Sequence, residues 1–456
     1  MLPSKPTYLE ESHQMSEATL PKNLTLDAAL SEAEENFAAR NVKSGENYNN
    51  STLSMPGGNT RTVIHFSPFP LTFSKAEGAT LTDADGNEYT DFMGEYTAAL
   101  YGHSEPAITA AVEKALHQGI VRGGANDNEA AFSAAICDRF PAIDRVRFCN
   151  SGTEANLYAL RTACSFTGRS DVIVMKAGYH GGVLYFGGEC PLNVPMPFHP
   201  VTYNDTEEAV AKIRELGSKL AAVILEPMLG GGGCIPATAE FLQALRAETE
   251  KSGALLIFDE VMTSRLAPGG LHGQHNIKPD MVTLGKYVGG GMSFGAFGGR
   301  EDIMARFDPR IAGHWPHAGT FNNNALTMAA GLAGLTQVYT ADRVEAFNAI
   351  GDGLRAKMQD AIAGAGVPMC VTGLGSMAVF HFGTGPITTP GDAVAAPEAL
   401  KAILHLDMIE RGFYYARRGM IALCLPTTDE DTTRFASAFG DVLSNRASLI
   451  HQAVKG

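Results

Sequence analysis

The chain has 456 residues, and its 35 lysines and arginines against 49 aspartates and glutamates give a formal net charge of −14. This acidic balance argues against a protein that coats nucleic acid or an anionic membrane. Apolar residues make up 45% of the chain and charged residues 18%, which is typical of a globular protein and excludes disorder of the whole chain.

The seven cysteines are widely spaced and form no C-x-x-C pair, which indicates neither a zinc ribbon nor a disulfide framework. A reducing compartment is favoured, and the polar, acid-containing residues 1–20 lack the apolar core of a signal peptide. The longest apolar runs, such as 221–225 and 254–258, are too short to span a membrane. We therefore expect a cytoplasmic protein with no metal site, no membrane segment and no nucleic-acid partner.

The N-terminal part has three predicted features after a mobile tail at residues 1–23. Leu24–Arg40 has helical spacing and begins with capping residues. The Gly/Asn/Ser-rich stretch Ser44–Thr60 is predicted to be a loop. Phe73–Phe92 is predicted to form two short strands around the hairpin turn Asp85–Gly86.

From about residue 105, short apolar runs alternate with amphipathic stretches, which is typical of a mostly parallel α/β sheet. The predicted strands are Val172–Met175, Ala222–Leu225, Ala254–Phe258 and Met281–Leu284. The clearest helices between them are Thr206–Leu216 and Ala239–Ser252.

After about residue 340 the pattern changes to a long helix, short strands and a final helix. These elements are Arg343–Gly364, Val379–Phe382, Met420–Leu423 and Thr428–Ile450. We predict an α/β fold in which residues 96–338 form a large domain with a mostly parallel sheet, and residues 339–456 form a smaller α+β domain. Residues 1–95 would contribute to the small domain.

Charged side chains follow three of the predicted strands directly. Glu226, Asp259 and Lys286 each come where an apolar run ends. In open α/β sheets the ligand lies at the carboxyl ends of the strands, so the two acids and the lysine are expected to converge there. A buried Lys–Asp ion pair without a functional role is the alternative.

Two further segments carry groups suited to a planar, phosphorylated ligand. Asn150–Glu154 precedes the predicted helix Ala155–Phe166, and a helix N-terminus with small residues binds phosphate, unless the segment is a simple N-cap. Tyr179 lies between glycines after a strand and is placed to cover a ring, unless it only packs in its loop. His314–Asn324 forms a second hydroxyl- and amide-rich loop before a helix.

Together these pieces fit pyridoxal 5′-phosphate (PLP). This cofactor has a phosphate, a planar ring whose nitrogen pairs with a carboxylate, and an aldehyde that reacts with a lysine. A carboxylate beside the ring nitrogen keeps it protonated, and the lysine is placed to move a proton.

Over about residues 50–450 the chain resembles the class III aminotransferases of fold type I. The motifs that carry the resemblance are Asn150–Ala155, Tyr179–Gly181, Phe258–Met262, Thr283–Lys286 and Ala318–Phe321. Within the class it is similar to the β-amino acid (β-phenylalanine) aminotransferases, and it is related to the glutamate semialdehyde aminomutases. Segments shared with the first group include Met55–Gly57, Phe69–Leu71, Glu95–Thr97, Met262–Pro268 and Gly289–Arg300.

The resemblance implies roles for individual residues. Lys286 would form the Schiff base with PLP and shuttle the proton, and Asp259 would pair with the ring nitrogen. Tyr179 would stack on the ring, and Glu226 and Met262 would line the pocket. The phosphate would be held by Ser151, Gly152 and Thr153, joined by Thr320 from the neighbouring subunit of a homodimer.

Substrate carboxylates need cationic anchors, and the resemblance implies Arg61 and Arg418 for this role, with Tyr96 beside them. Arg417 is an alternative to Arg418, since the two are adjacent. The loop 121–128 departs from the pattern of the β-amino acid enzymes, so the side-chain preference of the donor stays open.

The resulting prediction is a ping-pong transaminase. It would move an amino group from an aromatic or aliphatic β-amino acid to a keto acid such as 2-oxoglutarate or pyruvate. An aminomutase is the main alternative, although that group has a Glu near the position of Arg417–Arg418. A non-catalytic PLP sensor is disfavoured, because the acidic N-terminal region lacks a DNA-binding helix pair.

Overall fold

The structure is a computed structural model and describes residues 25–455, so the tail predicted at 1–23 lies outside the described residues. The α-helices are α1 (Leu26–Arg40), α2 (Val42–Thr52), α3 (Pro106–His117), α4 (Asp127–Arg139), α5 (Gly152–Thr167), α6 (Thr206–Leu216), α7 (Ala239–Ser252), α8 (Gly270–Gln274), α9 (Glu301–Met304), α10 (Ala325–Ala333), α11 (Ala341–Ala365), α12 (Glu398–Glu410) and α13 (Asp429–Lys455). The strands are β1 (Phe73–Glu77), β2 (Thr80–Asp83), β3 (Glu88–Asp91), β4 (Arg145–Cys149), β5 (Asp171–Met175), β6 (Phe198–Val201), β7 (Leu220–Leu225), β8 (Met228–Leu229), β9 (Ile235–Pro236), β10 (Leu255–Asp259), β11 (Met281–Gly285), β12 (Gly295–Gly299), β13 (Met369–Leu374), β14 (Met377–Phe382), β15 (Phe413–Tyr414) and β16 (Met420–Ala422).

The largest sheet has seven strands in the order β4-β12-β11-β10-β7-β5-β6, and β12 alone runs antiparallel to its neighbours. Every residue of β7 and β10 is buried, as expected for strands covered by helices on both faces. The predicted α/β fold is therefore confirmed. The four predicted strands of this region are found as β5, β7, β10 and β11, and α6 and α7 have the predicted bounds.

Two smaller sheets, β1-β2-β3-β15 and β13-β14-β16, contain the remaining longer strands. The strand β15 comes from the C-terminal part of the chain and pairs in parallel with β3, placing Phe413 opposite Thr90. The N-terminal hairpin thus shares a sheet with C-terminal residues, as the predicted small domain requires. The domain boundaries themselves stay predictions.

The predicted loop at Ser44–Thr60 is wrong over its first half, where α2 is found. The helix N-terminus is capped from outside, because the carboxylate of Asp85 accepts the N–H groups of Lys43 (2.8 Å) and Ser44 (3.1 Å). A cap supplied by the distant hairpin outweighs the poor helix propensity of the local Gly/Asn/Ser composition.

The hairpin at Phe73–Phe92 has three strands and not the predicted two. The turn at Asp85–Gly86 is confirmed between β2 and β3, and the Asp83 carboxylate accepts the N–H groups of Asp85 (2.9 Å) and Asn87 (2.8 Å) within it. The extra strand arises because the chain reverses at Gly78, whose φ of +57° suits glycine. Within residues 25–455, no helix combines the length and apolar character needed to cross a membrane.

Candidate active site

Asp259 ends β10 and is 3% exposed, and several donors converge on its carboxylate. Oδ2 accepts hydrogen bonds from Nδ1 of His180 and Nδ2 of Asn156, both at 2.8 Å, and Oδ1 accepts the N–H of Val261 at 3.0 Å. Thr283 lies opposite Asp259 in the sheet and donates to Oδ1 of Asn156 at 2.7 Å. The carboxylate is therefore held rigidly at the end of the strand.

His180 is buried beside this carboxylate. Burial disfavours its charged form, but the hydrogen bond and the negative charge of Asp259 prevail and raise the pKa of His180 above its ordinary value. Its other ring nitrogen, Nε2, is buried and has no partner among residues 25–455. Sequence reasoning placed Tyr179 in the site but did not connect His180 or Asn156 to Asp259.

Lys286 follows β11, the neighbour of β10, and adopts a left-handed backbone with a φ of +51°. This conformation is uncommon for a residue with a side chain and is often found at functional sites. Burial lowers the pKa of Lys286, against the opposing charges of Asp259 and Glu226. The two acids and the lysine therefore converge, as predicted from the ends of their strands.

Glu226 follows β7 and connects two loops of the site. Its carboxylate accepts the N–H groups of Tyr179 (3.1 Å) and Gly230 (3.0 Å), and burial raises its pKa to about 7, against the charge of His180. Tyr179 itself is 43% exposed. Met262 is buried and packs against Gly230, because a Cβ atom added to Gly230 would overlap the sulfur of Met262.

The N-terminus of α5 forms a cradle for an anion. Ser151 is the N-cap and accepts the N–H of Glu154 at 3.1 Å, while Oγ1 of Thr153 accepts the N–H of Gly182 at 3.3 Å. A Cβ atom on Gly152 would lie 3.0 Å from the γ-carbons of Val261, so only glycine fits there easily. The predicted simple N-cap is thus present, and it leaves the first N–H groups of the helix free for a ligand.

Val261 is a site residue that sequence reasoning missed. Its side chain is 9% exposed and packs against two glycines. A Cβ atom added to Gly152 would lie 3.0 Å from both γ-carbons of Val261, and one added to Gly285 would lie 3.1 Å from one of these carbons. It therefore lies between the anion cradle and the lysine segment. The sequence feature that could have indicated this residue is its β-branched side chain two positions after Asp259.

The loop that contains Thr320 contacts the cradle through a different residue. Thr320 is exposed, while Oδ1 of Asn322 accepts a hydrogen bond from Nδ2 of Asn150 at 3.1 Å. In the part of the chain that the structure describes, no group of His, Cys, Asp and Glu side chains is arranged to hold a metal ion.

Two arginines lie against the ring of Tyr96. The guanidinium carbon lies 5.8 Å from the ring centroid for Arg61 and 5.2 Å for Arg418. The Tyr96 hydroxyl donates to the carbonyl of Val63 at 3.0 Å, and Arg61 forms an ion pair with Glu95. Glu95 was not among the predicted site residues, because nothing local in the sequence indicates this ion pair.

Tyr96 is presented by a left-handed turn, Gly94–Thr97. Its four residues have φ values of +51°, +46°, +52° and +80°, and three of them carry side chains. At Gly94 a Cβ atom would lie 2.5 Å from the carbonyl oxygen of Ala422, so the first position needs glycine.

Arg417 and Arg418 point to different surroundings. Arg417 forms a 2.7 Å ion pair with Glu398 on α12. Arg418 lies over Tyr96. It also approaches Tyr179, since both residues lie next to Gly231: a Cβ atom added to Gly231 would be 3.9 Å from Nη1 of Arg418 and 3.6 Å from Cβ of Tyr179. Arg418 therefore lies beside the Tyr179 segment.

A model of the aminotransferase class-III family matches residues 64–405. The chain is 47% identical over 429 residues to the β-phenylalanine transaminase of Variovorax paradoxus, covering 94% of this chain and 99% of that protein. It is 37% identical over 414 residues to a glutamate-1-semialdehyde 2,1-aminomutase of Sorangium cellulosum, covering 86% and 93%.

The fold is also similar to solved structures. The crystal structure of the β-phenylalanine aminotransferase from Variovorax paradoxus matches with a TM-score of 0.92, covering 93% of this chain and 99% of that one. An ω-transaminase from Sphaerobacter thermophilus matches with a TM-score of 0.83 at 31% identity, covering 91% and 98%.

Proposed function

This chain is a class-III aminotransferase, a PLP-dependent enzyme of fold type I, and we propose that it moves the amino group of a β-amino acid to a keto acid such as 2-oxoglutarate or pyruvate by a ping-pong mechanism. The observation that carries the proposal is the placement of Arg61 and Arg418 on the ring of Tyr96, beside the PLP residues. The 47% identity to a β-phenylalanine transaminase supports the choice of donor.

The residues of the site fit PLP. The glycine-lined cradle at Ser151, Gly152 and Thr153 is suited to the phosphate, and the buried Asp259 carboxylate is suited to the ring nitrogen. We propose that Tyr179 and Val261 cover the two faces of the ring. Glu226 would act by tying the loop of Tyr179 to Gly230, next to Met262.

A homodimer would complete the site, with Thr320 of each copy reaching the phosphate cradle of the other. The exposure of Thr320 is consistent with this role. A cytoplasmic location is supported by the seven cysteines, all of which are free thiols.

When bound, PLP withdraws electrons from the substrate carbon and makes its proton labile. Lys286 is the group that we propose to move this proton. Burial lowers its pKa, so a larger fraction of its amine is neutral and able to accept a proton at neutral pH. Asp259, held by three hydrogen-bond donors, would present its carboxylate to the ring nitrogen.

Two anchors would serve a pocket that must bind two kinds of substrate. A β-amino acid carries its carboxylate one carbon further from the reacting carbon than an α-keto acid does. Arg61 and Arg418 both lie against the ring of Tyr96, and each guanidinium group can take a carboxylate in a bidentate manner. We therefore propose that each arginine takes one of the two carboxylates.

The test is a half-reaction with the PLP-loaded enzyme and racemic 3-amino-3-phenylpropanoate, without acceptor. We expect the visible band of the bound cofactor to fall as pyridoxamine absorbance grows, and to return when 2-oxoglutarate or pyruvate is added. An unchanged spectrum would contradict the proposed donor. Turnover of a single amino-aldehyde without any acceptor would support the aminomutase alternative.

A further inference from the structure

The turn Gly94–Thr97, which presents Tyr96, has a backbone that its own sequence does not favour. Thr97 is the clearest case, because it is β-branched and fully buried and still has a φ of +80°. Residues with side chains keep a left-handed backbone only where the surrounding structure fixes it. The contacts that fix this turn therefore have to come from the residues around it.

Asp91, at the end of β3, holds the chain where it enters the turn. Its side chain is buried, and its Oδ1 accepts the N–H groups of Met93 at 2.8 Å and of Gly94 at 2.9 Å. Gly94 is the first residue of the turn. One carboxylate oxygen therefore sets the direction in which the chain leaves the strand.

His103 lies beyond the turn and is bound to the same carboxylate. Its Nε2 donates to Oδ2 of Asp91 at 3.0 Å, since an ionised carboxylate can only accept. The backbone of His103 is itself fixed, because it exchanges two hydrogen bonds of 2.8 and 2.9 Å with Gly78, where the hairpin reverses. The Asp91 carboxylate thus connects the two ends of the segment that contains the turn.

The segment that carries Arg418 runs beside this carboxylate. The strand β3 pairs in parallel with β15, which places Asp91 opposite Tyr414, and Arg418 follows β15 in the chain. After Asp91, the carbonyl of Phe92 accepts the N–H of Ala422 at 2.8 Å. Asp91 is therefore close to both segments that meet at the ring of Tyr96.

We propose that Asp91, together with His103, is a positioning residue for substrate recognition. By fixing both ends of the turn, it keeps Tyr96 against Arg61 and Arg418, the proposed anchors of the substrate carboxylates. The inference rests on the proposed function, because it concerns the same site. Asp91 does not contact the substrate and acts through the backbone of the turn.

The test is steady-state kinetics of the PLP-loaded wild type and of Asp91→Ala, with 3-amino-3-phenylpropanoate and the keto-acid acceptor varied separately. We expect the KM of both substrates to rise about tenfold, because the arginines lose their fixed support. The value of kcat should fall less than about threefold, since Lys286 is not part of these contacts. An unchanged KM in an active Asp91→Ala enzyme would overturn the inference.

Asp83→Ala is the matched control, because Asp83 makes the same kind of contact in the next turn of the hairpin. It is also buried, and its Oδ1 accepts the N–H groups of Asp85 at 2.9 Å and of Asn87 at 2.8 Å. Both variants should lower Tm, but Asp83→Ala should keep KM within about twofold of the wild-type value. Equal increases in KM would mean that Asp91 only stabilises the fold.

Two milder variants decide the question even where Asp91→Ala fails to fold. Asp91→Asn keeps an oxygen for the two backbone N–H groups, and its amide can donate to the other tautomer of His103, so KM should stay within about twofold. His103→Ala removes one of the two connections and should raise KM about threefold. A larger rise in Asp91→Asn than in His103→Ala would contradict positioning by these hydrogen bonds.

The wild-type enzyme separates this inference from the proposed function. If it moves no amino group from any β-amino acid, the proposed function fails and the inference fails with it. If it is active and the KM of Asp91→Ala equals that of Asp83→Ala, the inference alone fails.

Discussion

His180 and Asp259 form a buried hydrogen-bonded pair, with Nδ1 of the imidazole 2.8 Å from Oδ2 of the carboxylate. The imidazole also carries a raised pKa because Asp259 favours its charged form, although burial opposes this. The pair therefore acts as one unit, in which the histidine fixes the orientation of the carboxylate proposed to face the PLP ring nitrogen.

Replacing His180 with asparagine should weaken PLP binding. A hydrogen bond to a charged group contributes about 1.5–3 kcal/mol, which corresponds to about a 10–100-fold higher dissociation constant for PLP. The measurement is a titration of the apoenzyme with PLP followed by its visible absorbance. The matched control is His199→Asn, which removes a His–Asp pair, 2.7 Å from Asp171, on the strands β5 and β6 at one end of the same sheet. Equal PLP affinity in both variants would contradict a role for His180.

Removing Arg418 and removing Arg417 should have different effects. Arg418→Ala is expected to raise the KM of carboxylate substrates about 10–100-fold, because it deletes a charge-assisted contact. Arg417→Ala should change KM less than about twofold, since its partner Glu398 is an exposed residue. Steady-state kinetics with donor and acceptor varied separately decide the matter. The opposite ranking would assign the substrate contact to Arg417.

If Arg61 binds a substrate carboxylate as proposed, Glu95 should compete with the substrate for it, because the two residues already form an ion pair. Glu95→Gln keeps the shape and removes the competing charge. Both side chains are nearly half exposed, so the effect is modest, and we expect KM for the β-amino acid to fall about 2–5-fold with kcat nearly unchanged. Glu77→Gln, which breaks an exposed pair with Lys75, is the control. A higher KM in Glu95→Gln would show that Glu95 supports binding.

His405 should make the fold sensitive to acid. It is 2% exposed, neither ring nitrogen has a partner in residues 25–455, and burial lowers its pKa to about 3, with the charge of Arg417 adding to the shift. Between pH 6.5 and 3 the unfolded chain binds a proton there that the folded chain does not. The free energy of unfolding therefore falls as pH decreases through this window.

The variant His405→Phe removes this titration. The slope of unfolding free energy against pH should become smaller by up to about 1.4 kcal/mol per pH unit, measured by urea unfolding at about pH 7, 6 and 5. His314→Gln, at an exposed histidine, should leave the slope unchanged. Parallel slopes for wild type and His405→Phe would rule out this source of acid sensitivity.

The strand ends of the large sheet could be predicted from the sequence, and with them the convergence of Glu226, Asp259 and Lys286. Runs of buried apolar residues have a definite length, so the first charged residue after each run marks the edge where ligands bind. The contacts that orient these groups could not be predicted. Thr283 reaches Asp259 through strand register and Asn156 through the packing of α5 on the sheet, neither of which a local pattern encodes.

The same limit explains the error at α2. Its local composition favours a loop, and the helix depends on the carboxylate of Asp85, which belongs to the hairpin. The resemblance to a family supplied the two arginines, while the ion pair of Arg61 with Glu95 follows only from the folded arrangement. Side chains that meet across long stretches of chain are set by tertiary packing and not by periodicity.

The left-handed turn Gly94–Thr97 places recognition and stability in opposition. Each of its three non-glycine residues is disfavoured by about 1–2 kcal/mol relative to a right-handed backbone. Glycine at position 95 or 97 would relieve that strain, and it would also loosen Tyr96 from its place beside the two arginines. Efforts to stabilise this enzyme should therefore leave the turn unchanged. Efforts to broaden its substrate range could instead start at this turn, because a more flexible turn would also relieve backbone strain.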